Sequence, residues 1–330
     1  MKLLKALVLA VASTGVTSAA IAADFTMKIG TPTLNDIQHE WMKRAETRIE
    51  ARSNGRIEVE LFPAAQLGTV PRMIEGLQFG TLEGLVAPSF FFSGLEKRNA
   101  VLAAAGLFQN LDHCRRTSSD PEFREIVFPI MRNVGIETLA ILCSAPQAFL
   151  TKTELNSVSD LEGLKIRVLA SPFEIEPMTA FGASPIPMPL GEVAPALQRG
   201  TIDGVSSLPI VFSKFKMHTI ASHITMTRLS QFAVPVYVSK PWFDSLPPDL
   251  QQILREEASA IEKELPAWAD RENAAAVSTW IENGGTVSEL PAGEQALLND
   301  LALKATNRVL DQDPELRAFY DALSAIAARN

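Results

Sequence analysis

The chain is short of the residues that most chemistry needs. It has two cysteines and four histidines in 330 residues. That leaves little material for a metal centre, which usually draws on clustered thiols and imidazoles. His218 and His223 are five apart, so they do not face one another as an i,i+4 pair on a helix would. Both read as loop or surface residues, and His39 as a surface or packing residue. There is no Gly-x-Ser-x-Gly elbow, no Gly-x-x-x-x-Gly-Lys loop, no Gly-x-Gly-x-x-Gly and no His-Glu-x-x-His. Cys143 has no local base to make it a nucleophile. No catalytic set, metal site or cofactor is expected, and the protein does not read as an enzyme.

Positive charge is scarce as well. Thirty Lys and Arg stand against 38 Asp and Glu, for a net charge of −8. Basic residues come at most in small clusters such as Arg115-Arg116, so no stripe exists to neutralise phosphates and nucleic acid is excluded as a partner. Long apolar runs are confined to the start. Lys2 and Lys5 form a positive end, Leu3 to Val11 is apolar apart from Lys5, and Ala20-Ile21-Ala22 fits a small-x-small cleavage site. Residues 1–22 therefore read as a secretory signal peptide; the apolar stretch is shorter than the roughly 20 residues a membrane span needs. The mature protein is expected to be soluble and exported.

What is present is globular. The chain is 47% hydrophobic and 21% charged, with length for about two domains of roughly 150 residues. A strand at 25–30, an amphipathic helix starting near Asp36 and an alternating strand at 57–61 give a β-α-β opening, hence an α/β layered domain. Pro247-Pro248-Asp249 starts a long helical stretch to about Asn283, with Pro266 inside it, and Gly284-Gly285 ends it. Helices follow from Ala292 to Ala328. Export leaves two states open for Cys114 and Cys143, a disulfide or two buried thiols.

The chain also carries an internal echo. Residues 77–85 read Leu-Gln-Phe-Gly-Thr-Leu-Glu-Gly-Leu and residues 197–205 read Leu-Gln-Arg-Gly-Thr-Ile-Asp-Gly-Val, with five of nine positions identical. Each copy makes sense as a helix stopped by a left-handed glycine, Gly80 or Gly200, then a turn and a short buried strand. A period of about 120 residues is far too long for a solenoid and fits two similar α/β lobes. In such sheets ligands sit beyond the carboxyl ends of the strands. The loops after the two copies are thus expected to face each other across a cleft. A second segment, Asp160 to Val168, reads as a turn feeding a strand. Leu164, Ile166 and Val168 share one face, and Arg167 takes the other near the strand's carboxyl end. An Arg there meets a carboxylate, a phosphate, an internal acid or water at an open edge; its planar fork suits a bidentate carboxylate.

Several stretches, in order, resemble the solute-binding receptors of TRAP (tripartite ATP-independent periplasmic) transporters. They are Gly55 to Val59 with Phe62-Pro63-Ala64-Ala65-Gln66-Leu67-Gly68, then Asp160 to Val168, Gly182 to Pro189 with Glu192-Val193, Ala196 to Gly204, and Trp242 to Leu250. The resemblance implies a two-lobed, type II-like periplasmic-binding-protein fold with crossing hinge strands and a long helix spanning both lobes. Lobe I would hold 23–145 and about 233–272, lobe II 146–232 and about 273–330. It implies a receptor that closes on a small organic carboxylate and delivers it to the membrane permease subunits. Arg167 sits where the family has the Arg that holds the ligand carboxylate.

Other aligned positions depart from the sugar-acid-binding members. Gln147 replaces a second Arg, Ser207 an Asn and Phe232 an Asn, while Pro88 and Phe91 occupy polar or charged positions. The expected ligand is a monocarboxylate with an aromatic or branched body. The expected contacts are Arg167 as anchor, Gln147 and Ser207 as neutral partners, and Ser89, Phe90, Phe91 and Phe232 around them. Within the run Phe90-Phe91-Phe92, alternation sets Phe91 opposite the other two. Two further readings are a receptor for an ATP-driven (ABC-type) importer and a secreted α/β hydrolase.

Overall fold

A computed structural model describes residues 23–330; the expected signal peptide lies outside the described residues. Nine strands form one sheet: β1 (Phe25–Gly30), β2 (Ile57–Phe62), β3 (Gly84–Val86), β4 (Ile136–Thr151), β5 (Lys165–Val168), β6 (Ser184–Pro187), β7 (Gly204–Ser207), β8 (His223–Ser239) and β9 (Thr286–Glu289). Their order is β2-β1-β3-β8-β4-β7-β5-β6, with β9 also on β8. The architecture is mixed α/β.

The sheet has two arms joined by one long crossing. In the first arm β1 runs parallel to β2 and β3; in the second β5 runs parallel to β6 and β7. Between them β4 and β8, 16 and 17 residues long, pair antiparallel along nearly their whole length. Their register slips between Cys143 and Ala148, where the strands leave one arm for the other. Extra residues in a ladder weaken it locally and bend it, so the crossing is the natural place for a hinge.

The sequence echo becomes a structural one. Gly80 and Gly200 both end helices in left-handed backbone, with φ of 74° and 69°. The acid that follows each does the same job in its own arm. Glu83 accepts from the Lys28 amide at 2.8 Å, and Asp203 accepts from the Lys165 amide at 2.9 Å. Gly84 and Gly204 then open β3 and β7 against Ile29 and Ile166. A Cβ at Gly84 would lie 2.9 Å from Ile29, and one at Gly204 2.7 Å from the Leu150 carbonyl oxygen, so close strand packing requires glycine there. By this register Arg167 occupies the position that Gly30 holds in the first arm.

Helices cover the sheet. In helix Ile37–Arg52, capped by Asp36, the face bearing Trp41, Met42, Ala45 and Ile49 is buried. Its Arg48 and Arg52 both pair with Glu257 on the long helix Pro248–Glu282. That helix has 35 residues, about 52 Å at 1.5 Å per residue. Its Leu250, Leu254, Ala258, Ile261 and Leu265 sit in the first-arm core, while Trp280 packs with Phe212 and Val205 of the second. The helix thus spans both lobes. The C-terminal segment, given as about 273–330 to the second lobe, touches both arms. Leu298 and Ala302 do join second-arm residues, but Leu310, Leu316, Phe319, Leu323 and Ile326 join the first-arm core. The chain ends strapped to the first lobe by Lys97–Asp313 and by the Arg116 bond to the Asn330 carbonyl oxygen.

Cys114 and Cys143 form a disulfide with Cα atoms 6.1 Å apart, closing a separation of 29 residues. It ties helix Leu111–Ser119 to β4 at the first-lobe end of the register slip. A loop of that length stabilises by about 3.6 kcal/mol through the unfolded chain. Replacing both cysteines by serine should lower the unfolding free energy by about that amount, read from urea titrations of the two proteins under non-reducing conditions. Coincident transitions would show that the bond contributes nothing.

Candidate ligand-binding cleft

The carboxyl ends of both arms open onto one cleft. Its outer part, ≈ 560 Å³, is walled by Ala64, Ala65 and Pro71 from the first lobe and by Ala170, Pro187 and Met188 from the second. Ala64 and Ala65 both adopt left-handed backbone, φ 53° and 58°. That costs a non-glycine residue energy. Their amides donate to the carbonyls of Thr33 and Thr31, each at 2.9 Å, which holds the loop against the β1 exit.

Deeper in, a recess of ≈ 30 Å³ is lined by Arg167, Ser207, Phe91, Phe232, Leu169, Leu190, Leu208, Val211, Pro32, Pro88, Thr33 and Gln38. Arg167 leaves β5 beside β7, where Val205 is its register partner, and its side chain is 2% exposed. Nε donates to the Met188 carbonyl oxygen at 2.9 Å. Among the described residues its terminal nitrogens make no hydrogen bond and no ion pair, and the residue lines the recess. Burial holds the Arg167 pKa down, to about 10, although the charge of Glu174 works in the opposite direction. The guanidinium is therefore still charged at neutral pH.

Glu174 stands behind it, 3% exposed, in the first turn of helix Pro172–Ala180. It is not in ion-pair contact with Arg167. Its Oε2 accepts from the Leu169 amide at 3.0 Å and its Oε1 from Gln147 Nε2 at 3.3 Å. Burial raises its pKa to about 7 against the pull of the Leu169 amide and the Arg167 charge. The first lobe supplies a neutral polar wall opposite. Gln38 accepts from Thr31 and donates to Asp36, and burial pushes the Asp36 carboxyl up despite its bonds to Thr33, Gln38 and His39.

The structure gathers four of the seven residues singled out from the sequence, Arg167, Ser207, Phe91 and Phe232, around one recess. It places three others behind that surface. Phe90 is buried with its ring edge-on to Phe232, centroids 5.2 Å apart, so it braces a wall residue. Ser89 is fully buried and its hydroxyl has no partner. Gln147 lines a separate void of ≈ 10 Å³ with Glu174 and Ser230. Its amide donates to Ser206 at 2.6 Å as well as to Glu174, and accepts from Ser230 at 3.2 Å. The run 89–92 is a 3₁₀ turn, not a strand, yet Phe91 still points away from buried Phe90 and Phe92. Sequence reading missed Glu174, Thr33 and Gln38. No local signal marks them, because each gains its place from an element remote in sequence.

The family model for bacterial extracellular solute-binding protein, family 7 (DctP), matches residues 30–312. The chain belongs to this family. It is an extracellular solute-binding protein, similar to solved TRAP solute-binding proteins. Among relatives it is 28% identical to the 2,3-diketo-L-gulonate-binding periplasmic protein YiaO of Escherichia coli K12 over 289 residues, 87% of this chain and 81% of that one. It is 28% identical to the C4-dicarboxylate-binding periplasmic protein DctP of Rhodobacter capsulatus, over 76% of each. A TRAP solute-binding protein of Desulfovibrio salexigens, solved with orotic acid, superposes with TM-score 0.86 at 23% identity, covering 92% of this chain and 99% of that one. One from Desulfovibrio desulfuricans, solved with sn-glycerol-3-phosphate, gives 0.85 at 26% identity, covering 91% and 97%.

The buried amide of this receptor carries a structural load. Gln147→Leu would leave Glu174 Oε1 and the hydroxyls of Ser206 and Ser230 without their partner, at about 1–3 kcal/mol for each group stranded. Chemical denaturation should show at least about 2 kcal/mol of lost stability; a loss near zero would mean the network rearranges freely.

Proposed function

We propose that this receptor captures a small organic monocarboxylate with an apolar body and presents it to a TRAP permease in the periplasm. The single observation that carries the reading is the Arg167 guanidinium, buried in the cleft with its terminal nitrogens unpaired. A buried charge without a partner is expensive. A ligand carboxylate would supply the missing acceptors in the bidentate geometry that guanidinium favours. Structures similar to this chain were solved with orotic acid, galacturonate, glucuronate and sn-glycerol-3-phosphate, all anionic. The recess here adds mostly Phe, Leu, Val and Pro to its one cation, which suits an aromatic or branched body better than a sugar ring with many hydroxyls to satisfy. Ser207 and the Thr33–Gln38 wall would take the few remaining polar atoms.

The energetics demand both parts. A charge-assisted hydrogen bond contributes about 1.5–3 kcal/mol net, and micromolar affinity needs about 8 kcal/mol. Apolar burial at about 25 cal/mol per Å² must supply most of the remainder. The recess has room for only a few waters at this lobe separation. A ligand would therefore enter through the outer cleft with the lobes apart, and closure at the β4–β8 crossing would enclose it. Family membership favours a TRAP partner over an ABC-type importer, and a receptor over a hydrolase.

A thermal-shift screen of organic acids, including aromatic and 2-oxo acids, should raise the melting temperature for at least one, because ligand stabilises the folded state by mass action. Arg167→Ala should then weaken that acid by at least about 100-fold in calorimetry, the range seen when one partner of a buried charge pair is removed. Undiminished affinity in a folded Arg167→Ala variant would end the anchor assignment.

A further inference from the structure

Behind the anchor lies a second ionisable group that the capture of an anion does not require. Glu174 is buried, feels the charge of Arg167 without an ion-pair contact to it, and is held by donors on both oxygens, the Leu169 amide and Gln147 Nε2. Both oxygens accept, an arrangement that suits the ionised carboxylate. When ionised in the empty cleft, Glu174 is the internal negative charge that offsets Arg167.

We propose that Glu174 is the receptor's own counter-ion to Arg167, that it restricts the cleft to singly charged anions, and that it takes up a proton when one binds. The inference rests on the reading that Arg167 holds the ligand carboxylate. Its logic is charge balance in a dry site, where unscreened charges interact strongly. Arg167 and ionised Glu174 sum to zero. A monoanion brings the site to −1, and one proton on Glu174 restores neutrality. A dianion brings it to −2, and the same proton leaves −1. While Glu174 is ionised its field acts twice over on a dianion, so the discrimination against a second charge is greatest above the Glu174 pKa.

The surroundings support a carboxyl that can change state. Arg167 is the one charged side chain that acts on Glu174 among the described residues. The groups facing it from other elements are neutral: Gln147 on β4, Ser230 on β8, and Ala302 on helix Ala292–Asp311; Ser206 on β7 joins through Gln147. Glu176 on its own helix is exposed. Burial already lifts the Glu174 pKa to about 7, so a modest further push by a bound anion moves it across the physiological range. Gln147 can serve both states. As placed, its amide NH2 group donates to the carboxylate and to Ser206. Turned by 180°, its oxygen would accept from a protonated Glu174 and its nitrogen would donate to Ser230, since hydroxyls can give or accept. A guanidinium at position 147 could not make that exchange.

The sign follows from proton uptake. Binding that takes up a proton weakens as pH rises through the Glu174 pKa of the empty receptor, and levels off above the higher pKa of the complex. The test is calorimetry with benzoate and 4-methyl-2-oxopentanoate as monoanions and succinate as dianion, on wild type, Glu174→Gln and Arg167→Ala. Wild type should bind a monoanion at least about tenfold more weakly at pH 9 than at pH 6. Paired buffers of different ionisation enthalpy should show uptake of a fraction of a proton near pH 7.5. Glu174→Gln should bind the same monoanion with a flat profile and no uptake, and at pH 9, where the wild-type carboxyl is ionised in the empty receptor, should gain for succinate relative to it. An unchanged pH slope in Glu174→Gln, absence of uptake in wild type, or a wild type that prefers succinate would overturn the proposal. Full binding by Arg167→Ala would instead overturn the anchor, so the two failures are distinct.

Discussion

One buried guanidinium sets the terms for the rest of the molecule. Arg167 is kept out of water by a receptor whose described residues give it a single hydrogen bond, from Nε to the Met188 carbonyl. Such a group is tolerated only if the fold holds it rigidly and some other charge offsets its field. Both conditions are met by backbone. β5 fixes its Cα between β6 and β7, and the Leu169 amide anchors Glu174 behind it. What remains is a cation aimed at a recess of apolar walls, which is the chemical description of an acceptor for an acid.

The two lobes are built to the same plan and used differently. Each has a glycine-ended helix, an acid that accepts from a strand amide, and a glycine-opened strand. At corresponding positions one arm has Gly30 and the other Arg167. In the first, a side chain is excluded by Met73, whose sulfur would lie 2.8 Å from a Cβ; in the second, a long side chain fills the gap between lobes. The duplication thus supplies a symmetric frame with the charge on one side only. The first lobe answers with neutral groups, Thr33, Gln38 and Phe91. Closing such a cleft brings a cation toward a wall that does not compete for it. The long helix Pro248–Glu282 and the β4–β8 pair cross between lobes, while the disulfide fixes β4 on the first-lobe side of its slip.

Much of this was legible in the residues. The glycine stops of the repeat follow from the left-handed region that L side chains avoid, and the opening β-α-β pattern follows from periodicity. The C-terminal helices likewise followed from their proline starts and glycine break. Arg167 stood out because a strand buried on both faces has little tolerance for charge. The resemblance of the ordered stretches to TRAP receptors extended that to the crossing strands, which periodicity alone did not mark. The site was half legible. Phe91 and Phe232 reach the recess, but Phe90 and Ser89 turn into the core, because a 3₁₀ turn sets which ring points outward.

By itself the sequence determined the α/β class, the duplicated frame and the presence of one cation where a strand ends. Those depend on local rules: periodicity, glycine conformations, and the penalty for charge in a buried strand. Only the tertiary structure decided that Arg167 has no acid in contact among the described residues, that Glu174 stands behind it, and that Gln147 is committed to a buried network. It also decided that Cys114 meets Cys143 and that the last helix returns to the first lobe. Each of these joins residues far apart in the chain. Their distances are fixed by how the elements pack, which no single stretch of sequence encodes.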